Sequence, residues 1–596
     1  MRRLLKHVIT WPDSPLRLLA AWFVTCTVFE ALRAQVVLSS WLFVLIAVGA
    51  FVLFTVAQWL LPFPRFSTLT TALCTIAYAT VLVGNRVGVD RTALYLTVLF
   101  AVVVVVLPLM RREPHRLLPF TFSKRWCIAA VVTAGVLFAL VIGTVTCLRY
   151  TTFTSPNYDF GIFCNMFHNM STTGLPTVSC ERAEIISHFA VHISPIYYVI
   201  LPFYWLFPSP LTLQIAQALA LASGLIPLYL LARHFKLSYA MTAMLAALYA
   251  LYPPLSAGCL YDLHENCFLP ALLLWLFVCY EKRRFALMCI PAVLILGVKE
   301  DAAAYLVFFG IYLLFARRDW KRALPLIVVA VGYFALAVYL LQTYGQGAMF
   351  GRYEAVLSGE PAMGGLFGTL LRDPAYFLTQ IANGENFTRK MTWLLRMLLP
   401  LGLLLWTPRG NYSRLFLLLP LLLNLMTQYG YQFDITFQYS FGTIPFLFYL
   451  LVQNAADAPP RFRREQLAIA LLAAWLMYLF TVWPSFVHYT RAAHDNRETY
   501  EKMENVLAMV PDEVSVTAST MLVPHLAQRP VVYEDFYHRD KSGNIIPDTE
   551  YAVLDIRPHF LPQSGPFIET YLDAGYTVVY EEPELLLVLK APKKAP

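Results

Sequence analysis

WCIAAVVTAGVLFALVIGTVTC, residues 126–147, runs for twenty-two positions without an acidic, basic or histidine side chain. As a helix it would rise about 33 Å, enough to cross a hydrocarbon core of about 30 Å. Lys124 and Arg125 stand just before it, and Arg149 just after it. Apolar runs of this kind recur at 18–33, 37–61, 68–84, 92–110, 210–232, 240–258, 266–280, 285–298, 302–316, 322–342, 393–407, 414–429, 436–453 and 466–484. The reading is a polytopic α-helical membrane protein with about 15 transmembrane helices.

Composition agrees with that reading. Of 596 residues, 58% are hydrophobic, 15% aromatic and only 14% charged. Soluble domains carry about 25% charged residues, and their single cores stop growing near about 250–300 residues. A nucleic-acid-binding module, a disordered chain, a disulfide scaffold and a secreted enzyme are therefore excluded. The net charge of +8 has a local origin. With Arg2, Arg3 and Lys6 placed in the cytoplasm, alternate short loops carry the basic residues. These are Arg111, Arg112 and Arg116 with Lys124 and Arg125; Arg233 and Lys236; Lys282, Arg283 and Arg284; Arg317, Arg318, Lys321 and Arg322; Arg409 and Arg414; and Arg461, Arg463 and Arg464. That is the positive-inside pattern and not a polyanion site. The first thirty or so residues read as a signal anchor, because no small-x-small site follows the apolar run.

Three hydrophilic regions then fall outside: 148–208, 343–392 and 485–596. Within the first, 194–208 (SPIYYVILPFYWLFP) reads as an interfacial helix, since spanning would invert every later loop. The last region alternates apolar strands at 514–518, 531–535, 551–556, 577–582 and 584–590 with helical stretches at 521–528 and 566–574, after a polar helix at 490–509. It reads as a small extracytoplasmic α/β domain without a phosphate loop. The division expected is a four-helix module at 1–125, a transmembrane core at 126–484 and the outer domain at 485–596. Of ten cysteines, Cys164 and Cys180 share the first outer loop. They read either as a disulfide or as two free small residues.

Four clusters of ionisable residues land on the outer side. Asp159 lies in YDFGIF (158–163). His188 and His192 in SHFAVHISP (187–195) stand at i, i+4, which puts both rings on one face if the segment is helical, as a metal pair or proton relay. Asp262, His264 and Glu265 lie in LYDLHEN (260–266). Lys299, Glu300 and Asp301 lie in VKEDAAA (298–304). Ionisable groups at span mouths are expensive unless used, although each cluster alone also reads as a helix cap or a loop charge. A carboxylate near apolar walls suits general-base work. Together the set suits a diphosphate or a divalent ion, Mg or Mn, with Asp159, His192 and Glu265 as metal ligands. Arg352 and Arg389 are candidate phosphate contacts, or interfacial side chains reaching for water. The tyrosines of 429–440 read as an aromatic belt.

The segments YDFGIF, HFAVHISPIYYVILPFYWLFPSPLTLQIAQALALASGLIPLYLLAR, LYDLHENCFLPALLLW, GVKEDAAAYLVFFGIYLLF and VSVTASTMLVPHLAQRPVVYED resemble a family of bacterial and archaeal polytopic membrane proteins, domain of unknown function 2079. The resemblance spans about 126–590. That family looks like a branch of the GT-C glycosyltransferases, which take sugars from polyprenyl-phosphate carriers at the outer leaflet. The resemblance implies a GT-C-like core and a prokaryotic cell-membrane location. It implies Asp159 as base or metal-site carboxylate, with His188 and His192 beside it. Lys299, Glu300 and Asp301 match the family's lysine-glutamate-aspartate motif. The AVH within HFAVHISP departs from the commoner spacing, which leaves open which histidine faces the site. The function expected is transfer of a sugar from a polyprenyl-phosphate donor to an extracytoplasmic acceptor. The rivals are a non-catalytic receptor or assembly factor, and a lipid or solute transporter.

Overall fold

The computed structural model describes residues 13–32, 40–61, 66–85, 91–112, 122–347, 352, 373–382, 386–407 and 411–592. Arg2, Arg3, Lys6, Arg116, Arg409 and most of the expected outer loop 343–392 lie outside them. Among the described residues, eight helices are long and apolar enough to cross a membrane: Ser14–Leu32, Trp41–Leu60, Phe66–Asn85, Arg91–Leu109, Lys124–Thr151, Pro210–His234, Trp320–Tyr344 and Pro460–Asp495. The pair Tyr239–Leu251 and Pro253–Leu260 is long and apolar enough only when taken together, and it is bent by 45° at its break, as in a broken span or a re-entrant loop. Proline at 253 and 254 explains the break, since neither can donate to the helical ladder. The protein is therefore multi-pass.

The remaining expected spans fall on shorter pieces. Leu269–Glu281, Phe285–Leu296, Ala303–Phe315 and Ile444–Asp457 have 13, 12, 13 and 14 residues. Each rises only about 18–21 Å. The stretch expected at 393–407 breaks into Phe387–Leu398 and two 3₁₀ turns around Gly402, which takes φ +68°. Hydropathy reads the apolar runs correctly but is blind to these breaks.

Helix exteriors carry the mark of lipid. On Ser40–Leu60, Trp41, Val44, Leu45, Val48, Val52 and Leu53 are all exposed. A contiguous apolar surface of this kind needs a membrane to cover it. Of the first four helices, Phe66–Asn85 and Arg91–Arg112 pack on the Pro460–Thr481 helix, and the other two pack on Phe66–Asn85. Trp475 Nε1 donates to Thr80 Oγ1 at 3.0 Å, and Arg111 pairs with Glu465 at 3.2 Å. The expected interfacial segment folds as Pro195–Val199 and Leu201–Leu206, both too short to cross.

In the first outer loop a small hairpin pairs β1 (Thr177–Val178) with β2 (Ile186–Ser187). The C-terminal domain, the outer domain of the expected topology, is a five-stranded sheet of β3 (Val516–Ala518), β4 (Val532–Glu534), β5 (Tyr551–Asp555), β6 (Thr577–Glu582) and β7 (Leu586–Lys590). Its order is β4-β3-β5-β7-β6. β3 pairs in parallel with β4 and β5, whereas β7 is antiparallel to both β5 and β6. All five residues of β5 are buried, as befits the centre of a sheet covered on both faces. The expected polar helix is two helices, Trp483–Asp495 and Arg497–Leu507, broken at Asn496.

This domain is docked on the first outer loop rather than tethered to it. Ser179 Oγ donates to the Val532 carbonyl at 2.7 Å and accepts from its N–H at 2.9 Å. Asn165 Nδ2 bonds the carbonyls of Ala527 and Arg529. The His525 ring stacks on Phe153 and Tyr150, with centroids 3.8 and 4.2 Å away. Buried hydrogen bonds contribute about 1 kcal/mol each, but they are costly to break singly. Cys164 and Cys180 are both buried and both free thiols, so that pair is not a disulfide.

Candidate active site

Asp159 sits where the chain leaves the Lys124–Thr151 helix and reverses into Ile162–Thr173. Its backbone holds φ +67° and ψ −63°, the rare γ-turn region that an L residue adopts only when its surroundings impose it. The surroundings are visible. The Asn157 N–H donates to the Thr520 carbonyl of the outer domain at 2.8 Å, and its Nδ2 to the Cys180 carbonyl at 2.8 Å. A Cβ on Gly161 would meet Asn157 Oδ1 at 2.6 Å, so glycine alone lets the loop pass this close.

A cavity of about 520 Å³ opens beside Asp159. Its wall brings together His188, His192, His264, Glu265, Lys299 and Arg352, from segments up to two hundred positions apart. Both histidines of HFAVHISP face it. The His192 N–H donates to the His188 carbonyl at 3.0 Å, and the rings lie 6.2 Å apart. Each ring is held by a carboxylate. His188 Nδ1 is 2.9 Å from Glu181, and His192 Nδ1 is 2.9 Å from Glu300. His188 Nε2 is buried without a partner, leaving that nitrogen available to a ligand.

Glu265 anchors the floor. Lys299 Nζ lies 3.1 Å from its Oε1, while Tyr197 Oη donates to Oε2 at 2.5 Å and His264 Nδ1 lies 3.2 Å from it. Burial disfavours charge on Glu265, but His264 and Lys299 outweigh it and hold the carboxyl well below its usual range. Burial also opposes charge on Lys299, and Glu265 and Asp301 reverse that, so the ammonium persists. Asp159 behaves oppositely. Burial, helped by Glu265, pushes it up to about 6 against the pull of Lys299 and His188. Burial holds His264 down to about 3, so its ring is neutral. Arg352 lies over the rings of Tyr429 and Tyr439, at 4.3 and 5.6 Å from their centroids.

Not every expected residue lines the cavity. Glu300 stands behind it, bridging His192 and the Ile193 N–H at 3.2 Å. Asp301 is exposed, outside the cavity wall. Arg389 is exposed and donates to the Gly430 carbonyl at 3.3 Å. Asp159, His192 and Glu265 are not arranged as a metal set. Among the described residues no group of three His, Cys, Asp or Glu is placed to hold an ion. Lys299 takes the position on Glu265 that a cation would need, so these residues do not fit a divalent ion.

Other wall residues escaped the sequence reading. Glu181 lies in CERAE (180–184) beside Arg182 and Glu184, which reads as an ordinary charged loop. Tyr261, Tyr429, Tyr439 and the outer domain's Tyr537 also line the wall. The density of aromatics at 429–439 was the available signal, and a membrane belt accounts for it equally well. Asp262 turns out to be structural. It accepts from Arg149 at 3.2 and 3.0 Å, from Ser155 at 3.0 Å and from Gln214 at 2.7 Å. Asp262→Asn leaves the Arg149 charge without its counter-ion. A loss of about 3 kcal/mol is expected, read as a lower thermal midpoint of the purified protein with unchanged ligand affinity per folded molecule.

The fold and this wall define a multi-pass membrane protein whose outer α/β domain roofs a polar cavity. Residues 149–587 match the family described as predicted membrane protein DUF2079, and the chain belongs to it. No curated protein matches the chain. Among solved structures, ArnT from Cupriavidus metallidurans bound to undecaprenyl phosphate is similar at 13% identity and TM-score 0.49, covering 78% of this chain and 98% of that one. ArnT in the apo state is similar at 11% identity and TM-score 0.49, covering 79% and 98%.

Proposed function

We propose that the protein is a GT-C-type membrane glycosyltransferase, moving a sugar from a polyprenyl-phosphate donor to an acceptor on the extracytoplasmic side of a prokaryotic cell membrane. The N-terminus is then cytoplasmic and the outer domain extracytoplasmic. One observation carries the reading. Asp159, strained and with a carboxyl near neutrality, lines the same cavity as the cations Lys299 and Arg352. A base tuned toward working pH beside fixed positive charge is what sugar transfer from a phosphate requires.

In the step proposed, the acceptor hydroxyl attacks the anomeric carbon while Asp159 takes its proton. The bond from that carbon to the carrier phosphate breaks, and the electron pair leaves with the phosphate oxygen. Lys299 and Arg352 balance the charge that develops there. The leaving group is already a weak base, so charge stabilisation matters more than an acid. Tyr261, Tyr429 and Tyr439 offer ring faces to the sugar.

Binding of undecaprenyl phosphate to the purified protein in nanodiscs tests the reading. Micromolar binding is expected. A folded protein that binds none would move the assignment to a receptor or transporter.

A further inference from the structure

A second cavity, of about 420 Å³, lies in the outer domain at the carboxyl ends of β3, β4 and β5. The chain lays β4 on one side of β3 and β5 on the other, both parallel to it. Such a reversal of strand order opens a crevice just beyond the strand ends, where open α/β sheets bind ligands. The residues following the strands supply its polar wall: Ser519 and Thr520 after β3, and Asp535 after β4.

The wall holds hydrogen-bonding capacity that the protein leaves unused. Glu534 is 1% exposed. Its Oε2 accepts from the Tyr537 N–H at 3.2 Å, while its Oε1 and the neighbouring Thr520 Oγ1 are buried, facing each other without a hydrogen bond of normal geometry. Leaving such groups unmatched in a dry site is costly, about 1–3 kcal/mol each, unless a ligand completes them. Apolar faces stand opposite. Phe536 is 58% exposed at the rim, an unusual position for a phenyl ring, and Phe567 lies under the Arg539 guanidinium at 5.0 Å. Tyr158, the residue before Asp159, lines both this cavity and the one beside Asp159.

We infer that this crevice is a carbohydrate-binding subsite, in which Glu534, Thr520 and Asp535 bond ring hydroxyls and Phe536 stacks on a sugar face. On the transferase reading, on which this assignment of role rests, the occupant is the acceptor glycan. It enters under the outer domain and reaches Asp159 past Tyr158. The charge state of the wall favours a neutral polyol over a cation. Burial pushes Glu534 up to about 7 and Asp535 up to about 6, so near neutral pH the Glu534 carboxyl both donates and accepts. Asp555 is not available to a ligand cation, because Arg557 already holds both its oxygens, at 2.9, 3.0 and 2.6 Å.

The test is saturation-transfer NMR on the full chain in nanodiscs, with methyl glucoside, methyl mannoside, methyl galactoside and methyl N-acetylglucosaminide as probes. At least one probe is expected to saturate. Its affinity should fall about fivefold in Phe536→Ala, the worth of one aromatic contact, and at least as much in Glu534→Leu. It should be unchanged in Arg497→Ala, an exposed side chain outside both cavities. Phe536 is exposed, so its removal leaves the fold intact. No saturation by any probe, or affinity indifferent to both outer-domain variants, overturns the assignment. Undecaprenyl phosphate binding on the same samples separates the two proposals. Glycoside binding without lipid binding removes the transferase reading and keeps the subsite; the opposite pattern does the reverse.

Discussion

Asp159→Asn is expected to lower glycosyl transfer about 10³-fold, the usual weight of a positioned general base, while undecaprenyl phosphate affinity stays within about twofold. Asparagine keeps the shape of the side chain and, like aspartate, tolerates positive φ, so the reversal at 157–161 survives. What is lost is the ability to take a proton. The pH dependence sharpens the prediction. A base works deprotonated, and burial raises the Asp159 carboxyl to about 6. Wild-type turnover should therefore be level above pH 6 and fall about tenfold per unit below it, as acid protonates the carboxyl. The residual activity of the variant should show no such limb. Full turnover in the variant, or a wild-type profile flat through pH 5, removes Asp159 from the chemistry.

Lys299→Ala is expected to weaken undecaprenyl phosphate binding at least about 100-fold, equivalent to about 2.7 kcal/mol. Lys299 is 5% exposed and stands 3.1 Å from Glu265. Its removal also leaves the Glu265 carboxylate buried beside a neutral His264 and the Tyr197 hydroxyl. Breaking such a pair destabilises by about 3 kcal/mol, so loss of binding alone would not distinguish a ligand contact from a damaged floor. The double variant Lys299→Ala with Glu265→Gln makes the distinction. It removes both charges and should recover most of the thermal stability, yet bind the lipid phosphate no better than Lys299→Ala. Recovery of binding in the double variant would mean that Lys299 holds the fold and never meets the ligand.

Several parts of this arrangement are written in short stretches of chain. The apolar run at 126–147 lies within the Lys124–Thr151 helix. TVVYEE at 577–582 is β6, and YAVLDI at 551–556 overlaps β5 almost completely. The i, i+4 spacing of His188 and His192 does bring two rings to one side. In each case the deciding force acts between near neighbours, through hydrophobic periodicity or a local backbone bond, so the pattern is legible along the chain.

The partners are a different matter. His192 meets Glu300 across 108 positions, and Arg149 meets Asp262 across 113. LYDLHEN places three ionisable residues side by side. Only packing sends Glu265 to the cavity floor and Asp262 to a structural tie with Arg149. Glu181, and Tyr537 from the outer domain, join the wall from segments whose local sequence carries no mark of it. By itself, the sequence determined a multi-pass helical protein with a C-terminal α/β domain, because transfer into a bilayer and strand alternation are summed over adjacent residues. Which carboxylate takes a lysine and which an arginine, and that the outer domain closes over Asp159, was decided by the tertiary structure. Those energies belong to contacts between distant segments, and they exist only once the chain is folded.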